Sequence, residues 1–349
     1  MKRISYDMKE EISYNRNKVQ RYFRDSIWKM RGNPAFPEHD NQGFRNPENP
    51  GNDVFIVGDS WTYGACPGGA LLKEKSWPIL LSQNFGINCA AAGGWGPFQY
   101  LLAVKELMPV ATKVCLVGFY IGNDLVDAFG WTKNTQSSLR NHFWCDEFDQ
   151  KSDPITKWNN RVRRRQIQEI MEEKGISETE AFIYAHQCDN IDLVAVTIKG
   201  FQHIFKPRLR ADTTDLSIPG IRIGLDITQS MFSEIIDICD NYGIEPFFVI
   251  FPSKEASFAA ANPGLHHEVD TVLSHEVKVK KELKAFFNEH YVCNTDMIEV
   301  LSKQPELFFF PNSLDGHPNS EGAKVIATHL EEVLSPLLEE FDENNYPLA

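Results

Sequence analysis

The chain has 349 residues, of which 42% are hydrophobic and 12% aromatic, so it can form a large core and is too apolar to be disordered. Its 35 lysines and arginines against 48 aspartates and glutamates give a formal charge of −13. This acidic balance argues against nucleic-acid binding and against docking on anionic membrane, both of which need a basic surface.

The cysteines and the N-terminus indicate the compartment. The seven cysteines are scattered and form no C-x-x-C pair, so neither a zinc ribbon nor a thioredoxin-type site is predicted. Several lie inside apolar runs, where reduced and buried thiols are usual. The charged N-terminus and the lack of any run of ~18 apolar residues predict neither a signal peptide nor a membrane helix. We expect a soluble, cytoplasmic protein.

Residues 1–50 are polar and rich in turn signals, and they predict an N-terminal arm or a short helix ahead of the core. Strands and helices then alternate at a spacing that predicts a parallel sheet covered by helices. The predicted strands are 53–58, 87–92, 113–120, 245–251 and 290–293. The predicted helices are 75–84, 98–108, 226–242 and a final helix that Asn319 or Ser320 caps and that runs to 333, with an acidic tail at 339–343.

Residues of about 130–220 interrupt this alternation. They contain an aromatic stretch at 131–148, a basic run at 161–165 and an acidic, helix-like segment at 169–174. We interpret them as a cap or insertion within one α/β domain that spans 51–349. The basic run fits the solvated face of a helix, or else a site for an anion or a partner.

Ser60 follows the first predicted strand within the tripeptide Gly-Asp-Ser. On a tight turn into a helix, its hydroxyl would face the carboxyl edge of the sheet, where chemistry is usual in this class of fold. Its backbone N–H would lie near a helix N-terminus and could stabilise an oxyanion. The tripeptide alone fits a helix N-cap equally well.

Two more turns follow the next two strands. Gly93 and Gly94 would let a backbone N–H approach a ligand oxygen closely, although an ordinary glycine-rich turn is the alternative. The turn lacks the G-x-G-x-x-G spacing of a dinucleotide site. Asn123 could supply a side-chain oxyanion donor, unless it or Asp124 merely caps the next helix. We expect Asp59 and Asp124 to support these turns structurally.

Asp315 and His317 stand on a loop before the final predicted helix. An imidazole beside a carboxylate is what a serine hydrolase needs: His317 would accept the proton of Ser60, and Asp315 would orient the ring and stabilise its charged form. By itself, Asp-Gly-His-Pro-Asn is also an ordinary loop that ends in a helix cap.

The order Gly-Asp-Ser, Gly, Asn-Asp and Asp-x-His resembles the SGNH/GDSL hydrolase superfamily over about 52–130 and 224–335. The resemblance implies a three-layer α/β/α, flavodoxin-like sandwich with a central parallel sheet, here with a helical insertion. It also implies that Ser60 is the nucleophile, that His317 is the general base, and that the oxyanion hole consists of the Ser60 N–H, a glycine N–H and the Asn123 amide.

The histidine block departs from the family pattern. The usual spacing is Asp-x-x-His, but Leu314 stands three residues before His317 and Asp315 stands two before it. Some branches of the family carry Asp-Gly-His, so we assign Asp315 to orienting the imidazole. If its geometry is poor, catalysis would run mainly through a dyad of Ser60 and His317.

The glycine block leaves two candidates for the oxyanion donor. Counting back from Gln99 favours Gly94, and counting forward from Asn88 favours Gly93. We prefer Gly94 and keep Gly93 as the alternative. Both glycines stand in the same turn after the second predicted strand, so a backbone N–H of either could approach a substrate oxygen.

Other residues carry weaker signals. Trp61, Tyr63 and Trp95 flank these turns and either line a pocket for a sugar or acyl group or pack in the core. His266 and His267 are adjacent, so on a helix they point to different sides, and no H-E-x-x-H motif occurs. We therefore predict no metal and no other cofactor.

These observations predict a serine esterase that removes a short acyl group, such as O-acetyl, from a carbohydrate or small molecule through an acyl-enzyme at Ser60. Segments 41–45 and 251–255 are similar to SGNH proteins associated with bacterial surface polysaccharides. The alternatives are an O-acyltransferase with the same Ser-His chemistry and a non-catalytic binding protein that keeps the fold.

Overall fold

A computed structural model of the chain describes residues 12–13, 19–67, 69–134, 171–173, 175 and 193–343. The strands are β1 Ile12–Ser13, β2 Tyr22–Asp25, β3 Lys29–Gly32, β4 Val54–Gly58, β5 Ala65–Cys66, β6 Gly69–Leu71, β7 Ile87–Ala91, β8 Val114–Tyr120, β9 Val194–Ile198, β10 Phe201–Phe205, β11 Glu245–Phe251 and β12 Cys293–Asp296. The helices are α1 Ser60–Tyr63, α2 Trp77–Leu81, α3 Pro97–Leu107, α4 Asp124–Asn134, α5 Pro207–Thr214, α6 Pro219–Tyr242, α7 Lys254–Ala261, α8 His267–Glu289, α9 Ile298–Leu301, α10 Pro305–Phe308 and α11 Ser320–Glu343, with a 3-10 turn at Lys73–Lys75.

The central sheet of the described residues has five strands in the order β12-β11-β8-β4-β7, and every neighbouring pair is parallel. Numbered by their order along the chain and read from the other edge, these strands stand as 2-1-3-4-5, which is the flavodoxin-like arrangement. Strands β1, β6 and β5 form a small antiparallel sheet, and β2-β3 and β9-β10 are antiparallel hairpins. The predicted α/β fold with a central parallel sheet is confirmed.

Both faces of the sheet are covered. Along β4, Val54 and Ile56 pack in one core cluster with α2, α7 and α11, whereas Phe55 and Val57 pack in a second with α3, α4 and α6. All four side chains are buried, because alternate residues of a strand point to opposite faces. The result is a three-layer α/β/α sandwich. Within the described ranges, no helix is long and apolar enough to span a membrane.

The sequence placed the last strand three residues too early. Residues 290–293 were predicted as the strand, but α8 extends to Glu289 and Tyr291 has a left-handed φ of 56°. The strand is instead Cys293–Asp296, which pairs in parallel with β11 from Phe247 onward. It lies at the sheet edge and its residues are only partly buried, so it offers no continuous apolar run.

The bounds of three predicted helices also differ. The predicted helix 75–84 is the shorter α2, Trp77–Leu81, which follows the 3-10 turn at Lys73–Lys75. Helix α6 begins at Pro219 rather than at 226, and α11 begins at Ser320 as expected but continues to Glu343 rather than ending at 333. The acidic tail is therefore the last turn or two of a helix. Leu334 and Leu338 extend its apolar face over the core.

The N-terminal arm contains a hairpin where a short helix was the alternative. The Asp25 carboxylate accepts from the backbone N–H groups of Ile27 and Trp28 at 2.7 and 2.9 Å, which closes the turn between β2 and β3. Trp28 then stacks on Trp95, with ring centroids 5.2 Å apart. The hairpin is thus packed against the turn that follows β7.

The main elements in the described part of the interrupting segment are the β9-β10 hairpin and α5. Phe205 and Ile204 of β10 are buried, and α5 packs on α8 and α4. The basic run at 161–165 and residues 135–148 lie outside the described residues. Of the acidic segment 169–174, residues 171–173 are described and are helical, as predicted. The interpretation of the basic run therefore stays a prediction.

The buried thiols lie in the sandwich. Cys89 of β7, Cys115 of β8 and Cys239 of α6 are buried, in line with the pattern of apolar runs. Burial raises the pKa of the Cys89 thiol to about 12. The side chains of Cys115 and Cys239 contact each other between sheet and helix. These thiols are core residues.

Helices α4 and α6 approach closely at Gly224, where an added Cβ would lie 2.1 Å from the carbonyl oxygen of Leu125. Gly224→Ala should therefore destabilise the protein by about 1–3 kcal/mol. Gly130 of α4 has nothing within 4 Å of its Cβ position. Gly130→Ala should stabilise by up to about 1 kcal/mol through helix propensity. The urea concentrations at half-unfolding of the two variants, at constant m-value, measure both changes in stability. Equal midpoints for Gly224→Ala and Gly130→Ala would contradict the close helix contact at Gly224.

Candidate active site

The candidate site lies where β4, β7 and β8 end. Gly58, the last residue of β4, pairs with Ala91 of β7 on one side and with Gly118 of β8 on the other. All three strands are parallel, so their carboxyl ends open at the same edge of the sheet. The turns that carry Ser60, the paired glycines and Asn123 are therefore neighbours in space.

Ser60 is the first residue of α1. The Asp59 carboxylate caps this helix by accepting from the Trp61 N–H at 2.8 Å, and its other oxygen lies 3.2 Å from Ser60 Oγ. A Cβ on Gly58 would lie 2.0 Å from the hydroxyl oxygen of Thr62, so only glycine permits this close strand-to-helix turn. The turn holds the Ser60 side chain at the functional edge of the sheet.

His317, on the loop before the last helix, contacts Ser60 at the end of the first sheet strand. Its Nε2 lies 2.8 Å from Ser60 Oγ, and its Nδ1 lies 2.7 Å from Oδ1 of Asp315. The same Asp315 oxygen accepts the backbone N–H of His317 at 2.8 Å. A carboxylate two residues before a histidine therefore reaches its ring by folding the intervening Gly316 into a tight turn, and the structure contains a Ser–His–Asp chain of contacts.

The charges of the site favour a proton-accepting imidazole. Burial raises the pKa of Asp315, but the facing His317 outweighs it and holds this pKa at about 2. Burial lowers the pKa of His317, but the Asp315 carboxylate outweighs it, and the net shift is upward. An ionised Asp315 accepts the Nδ1–H of a neutral His317, which leaves Nε2 free to accept the Ser60 proton.

The second carboxylate near Ser60 has a different environment. Asp59 is fully buried, and burial raises its pKa to about 6 even though His317 and the helix-capping N–H oppose the shift. It does not contact the imidazole by a hydrogen bond and serves as the N-cap of α1. Asp59 therefore supports the turn, whereas Asp315 contacts the ring.

The two candidate glycines differ in what their N–H groups contact. Gly93 N–H donates to the hydroxyl of Tyr22 at 3.2 Å. Gly94 has a φ of +76°, in the left-handed region that favours glycine, and its N–H has no hydrogen-bond partner in the described part of the chain. Of the two, Gly94 is the residue whose N–H remains available to a substrate.

Asn123 stands between β8 and α4. Its Nδ2 donates to Oδ2 of Asp127 at 3.2 Å, and Asp127 Oδ1 in turn contacts Lys29 Nζ at 2.6 Å. A side-chain amide has two N–H donors, so one remains for a ligand. The Asn123 Oδ1 atom is buried without a hydrogen-bond partner among the described residues, which is consistent with an amide oriented by its nitrogen.

Asp124 holds the same turn through two hydrogen bonds within the fold. Its carboxylate accepts from the Tyr100 hydroxyl and from the Tyr120 backbone N–H, both at 2.9 Å. Burial raises the pKa of Asp124 well above its usual value. Asp124 thereby ties the end of β8 to α3, which is the structural role expected of it.

A buried lysine and a partly buried arginine that the sequence analysis did not assign hold the neighbouring loops. Lys254 Nζ donates to the carbonyl oxygens of Ser313 at 2.8 Å and Ile204 at 3.3 Å, which anchors the loop leading to His317. Burial lowers the pKa of Lys254 to about 8. Arg210 of α5 donates to the Gly122 carbonyl at 2.9 Å. Lys254 stands three residues after the end of the buried strand β11, which was an available signal, whereas Arg210 has no local pattern.

The aromatic residues beside the turns pack in the core. Trp61, Tyr63 and Trp95 are 1%, 3% and 0% exposed, which favours core packing over the alternative of a ligand pocket. Trp61 stacks on Tyr120 with ring centroids 4.8 Å apart. These rings therefore support the serine turn from within the fold.

His266, one of the adjacent histidines considered for metal binding, has another contact, and so does His275 of α8. The His266 imidazole accepts from the Glu268 N–H at 3.3 Å as the N-cap of α8, and His275 Nδ1 lies 3.2 Å from the Ala211 carbonyl oxygen. Across the described ranges, no three His, Cys, Asp or Glu side chains are grouped as metal ligands. These side chains cap and join helices.

An α/β/α sandwich with a serine after its first sheet strand and a histidine–aspartate pair before its last helix defines a serine-hydrolase type of site. No family model matches the chain, and no curated protein matches it. Solved structures do match. A phospholipase A1 from Streptomyces albidoflavus NA297 is 11% identical with a TM-score of 0.43, over 81% of this chain and 99% of that chain.

Two further structures are similar. A member of the lipolytic protein G-D-S-L family from Veillonella parvula DSM 2008 is 12% identical with a TM-score of 0.39, over 81% of this chain and 98% of that chain. A mutant acetyl-xylooligosaccharide esterase from Geobacillus Stearmophilus is 13% identical with a TM-score of 0.37, over 82% of this chain and 95% of that chain. At such identities the likeness concerns the fold alone, so function is inferred from the site.

The contact between Asp315 and His317 predicts a titration. Asp315→Asn should lower the pKa of His317, because it removes the carboxylate that raises this pKa and leaves the effect of burial. The NMR chemical shifts of the imidazole nitrogens, followed against pH, measure the pKa of His317. Asp240→Asn, at an exposed position on the last turn of α6, is the control and should leave the titration unchanged. A His317 titration unaffected by Asp315→Asn would contradict the described pair.

Proposed function

We propose that the chain is a serine esterase that cleaves a short acyl ester through an acyl-enzyme at Ser60. The observation that carries the proposal is the 2.8 Å contact between Ser60 Oγ and His317 Nε2, with Asp315 bonded to the other ring nitrogen at 2.7 Å. A hydroxyl bonded to an oriented imidazole is the arrangement of an activated serine nucleophile.

In the first step Ser60 Oγ attacks the ester carbonyl carbon while its proton passes to His317 Nε2. The Asp315 carboxylate stabilises the resulting imidazolium through its bond to Nδ1–H. The carbonyl oxygen becomes an oxyanion. We assign its donors as the Ser60 N–H, the Gly94 N–H and the free N–H of the Asn123 amide, because these turns adjoin at one sheet edge.

Collapse of this intermediate breaks the bond to the alcohol oxygen, which takes the proton from His317 and leaves. Water then attacks the acyl-Ser60 carbonyl while His317 accepts a proton from it. The second intermediate expels Ser60 Oγ, which regains its proton from His317, and the carboxylic acid is released. The cycle needs no group beyond those of the chain and water.

The proposed substrate is an O-acetyl ester of a carbohydrate, and the sequence similarity of segments 41–45 and 251–255 supports it. In the structure these segments have supporting contacts. Arg45 donates to the carbonyl oxygens of Tyr63 at 2.7 Å and Leu71 at 2.6 Å, and Lys254 anchors the His317 loop. The sugar assignment therefore rests on the resemblance and is tested by a panel of acetylated saccharides and longer acyl esters.

The two alternative functions make different demands on the same site. An O-acyltransferase would use the same acyl-Ser60 with a sugar hydroxyl in place of water, and product analysis at saturating acceptor separates transfer from hydrolysis. A non-catalytic binding protein would not need Ser60 and His317 within hydrogen-bond distance. Their 2.8 Å contact favours a catalytic function.

Ser60→Ala should abolish turnover of p-nitrophenyl acetate and its pre-steady-state burst, because no acyl-enzyme can form. Stopped-flow release of p-nitrophenol measures both. Ser274→Ala, which removes an exposed hydroxyl on α8, is the control and should keep the burst. Undiminished hydrolysis by Ser60→Ala would contradict the proposed mechanism.

Asn123→Ala should retain the fold and lower kcat by roughly 100- to 1000-fold, because it removes one oxyanion donor. Steady-state kinetics on the same ester measures the change, with the thermal midpoint as the check on folding. Asn288→Ala, at an exposed position near the end of α8, serves as the control. If both alanine variants kept the full kcat, Asn123 would have no part in the oxyanion hole.

A further inference from the structure

The N-terminal hairpin carries a lysine in a costly backbone conformation. Lys29, the first residue of β3, has a φ of 61°, in the left-handed region that glycine adopts most easily. A backbone turn alone would be served better by glycine. The Lys29 side chain instead extends from the hairpin and contacts Oδ1 of Asp127 at 2.6 Å.

Asp127 links this lysine to the candidate oxyanion hole. Its other oxygen accepts from Asn123 Nδ2 at 3.2 Å, so one carboxylate joins Lys29 to the amide. A Cβ on Gly96 would lie 2.9 Å from Asp127 Cβ, which places Asp127 directly against the turn that follows β7. Asp127 thus lies between two of the three turns that supply oxyanion donors, the glycine turn and the Asn123 turn.

A carboxylate at this place needs a cation. Burial raises the pKa of Asp127, and Lys29 opposes this shift. The carboxylates of Asp59 and Asp124 interact electrostatically with Asp127, so the surroundings are otherwise acidic. An uncompensated negative charge bonded to the Asn123 amide would also oppose the negative charge that develops on a substrate oxygen.

The same hairpin also holds the glycine turn. The Tyr22 hydroxyl of β2 accepts from Gly93 N–H at 3.2 Å, and the Tyr22 ring lies 3.6 Å from the Cβ position of Gly93. Trp95 Nε1 donates to the Met30 carbonyl at 2.7 Å. The hairpin therefore contacts the glycine turn directly and is linked to Asn123 through Asp127.

We propose that Lys29 is a positioning residue of the oxyanion hole: it neutralises Asp127 and holds its carboxylate so that the Asn123 amide is aimed at the substrate oxygen. The proposal rests on the proposed esterase function and assigns an active-site role to the N-terminal hairpin. Lys29 itself does not touch the reacting atoms. Its contribution passes through Asp127 and Asn123.

Lys29→Gly separates this role from a structural one, because glycine relieves the backbone strain while removing the ammonium group. The variant should keep its thermal midpoint within a few degrees and lower kcat for p-nitrophenyl acetate about tenfold, with KM changed less than about twofold. The rate of Ser60 labelling by a fluorophosphonate, followed by intact mass, should fall by a similar factor. Lys29→Arg should restore most of both rates.

A double variant tests whether the effect of Lys29 passes through Asn123. In the Asn123→Ala background, Lys29→Gly should cost less than about a further twofold, because residues that act through one another are not additive. The matched control is Lys105→Met, which breaks another surface ion pair of 2.6 Å, to Glu234. That variant should leave kcat and labelling unchanged.

Three outcomes overturn the inference. Lys29→Gly could match Lys105→Met in kcat and labelling, it could keep its full tenfold effect without Asn123, or Lys29→Arg could give no rescue. Each of these leaves the esterase proposal standing if the wild-type protein is labelled at Ser60. A wild-type protein that is not labelled at Ser60 and shows no Ser60-dependent turnover would instead overturn the proposed function, and the role of Lys29 with it.

Discussion

The hydrogen bond between Ser60 and His317 joins residues 257 positions apart, and the rest of the site depends on it. Such a contact needs the end of the first sheet strand and the loop before the last helix to meet at one edge. A parallel sheet provides this edge because every strand ends there. The buried cores on both faces then hold the strands in register, so the 2.8 Å distance is a property of the whole sandwich.

Much of the support for the site comes from outside the parallel sheet. The hairpin contributes Lys29 and Tyr22, α5 contributes Arg210, and Lys254 begins α7. The chain carries a net charge of −13, yet these cations are placed against carbonyl oxygens or a carboxylate beside the catalytic turns. Paired in this way, a partly buried charge fixes loop positions, and removing its partner would be costly.

The parts of the fold that were predictable are those with a local pattern. Strands β4, β7, β8 and β11 are continuous apolar runs and were located within a residue or two. Strand β12 lies at the edge with partly exposed polar residues, so periodicity misplaced it. The β2-β3 hairpin gave only turn signals, because its stability comes from packing on Trp95 rather than from its own sequence.

The residues of the site likewise divide into those that a local sequence pattern predicts and those that only tertiary contacts place. Ser60, Asn123, Asp315 and His317 stand in short motifs after strands or before a helix, so sequence reasoning could name them as candidates. Lys29 meets Asp127 across 98 positions, a tertiary contact that no local pattern encodes. The choice between Gly93 and Gly94 was open for the same reason. What separates them is the Tyr22 hydroxyl, 71 positions from Gly93.

The central claim is that an acyl group passes through Ser60. Rapid acid quench after mixing the protein with p-nitrophenyl acetate, followed by peptide mass spectrometry, tests it most directly. The account predicts one acetyl group on the peptide that contains Ser60, with none on the corresponding peptide of Ser60→Ala. Acetylation of some other residue, at a rate that matches turnover and persists in Ser60→Ala, would contradict it.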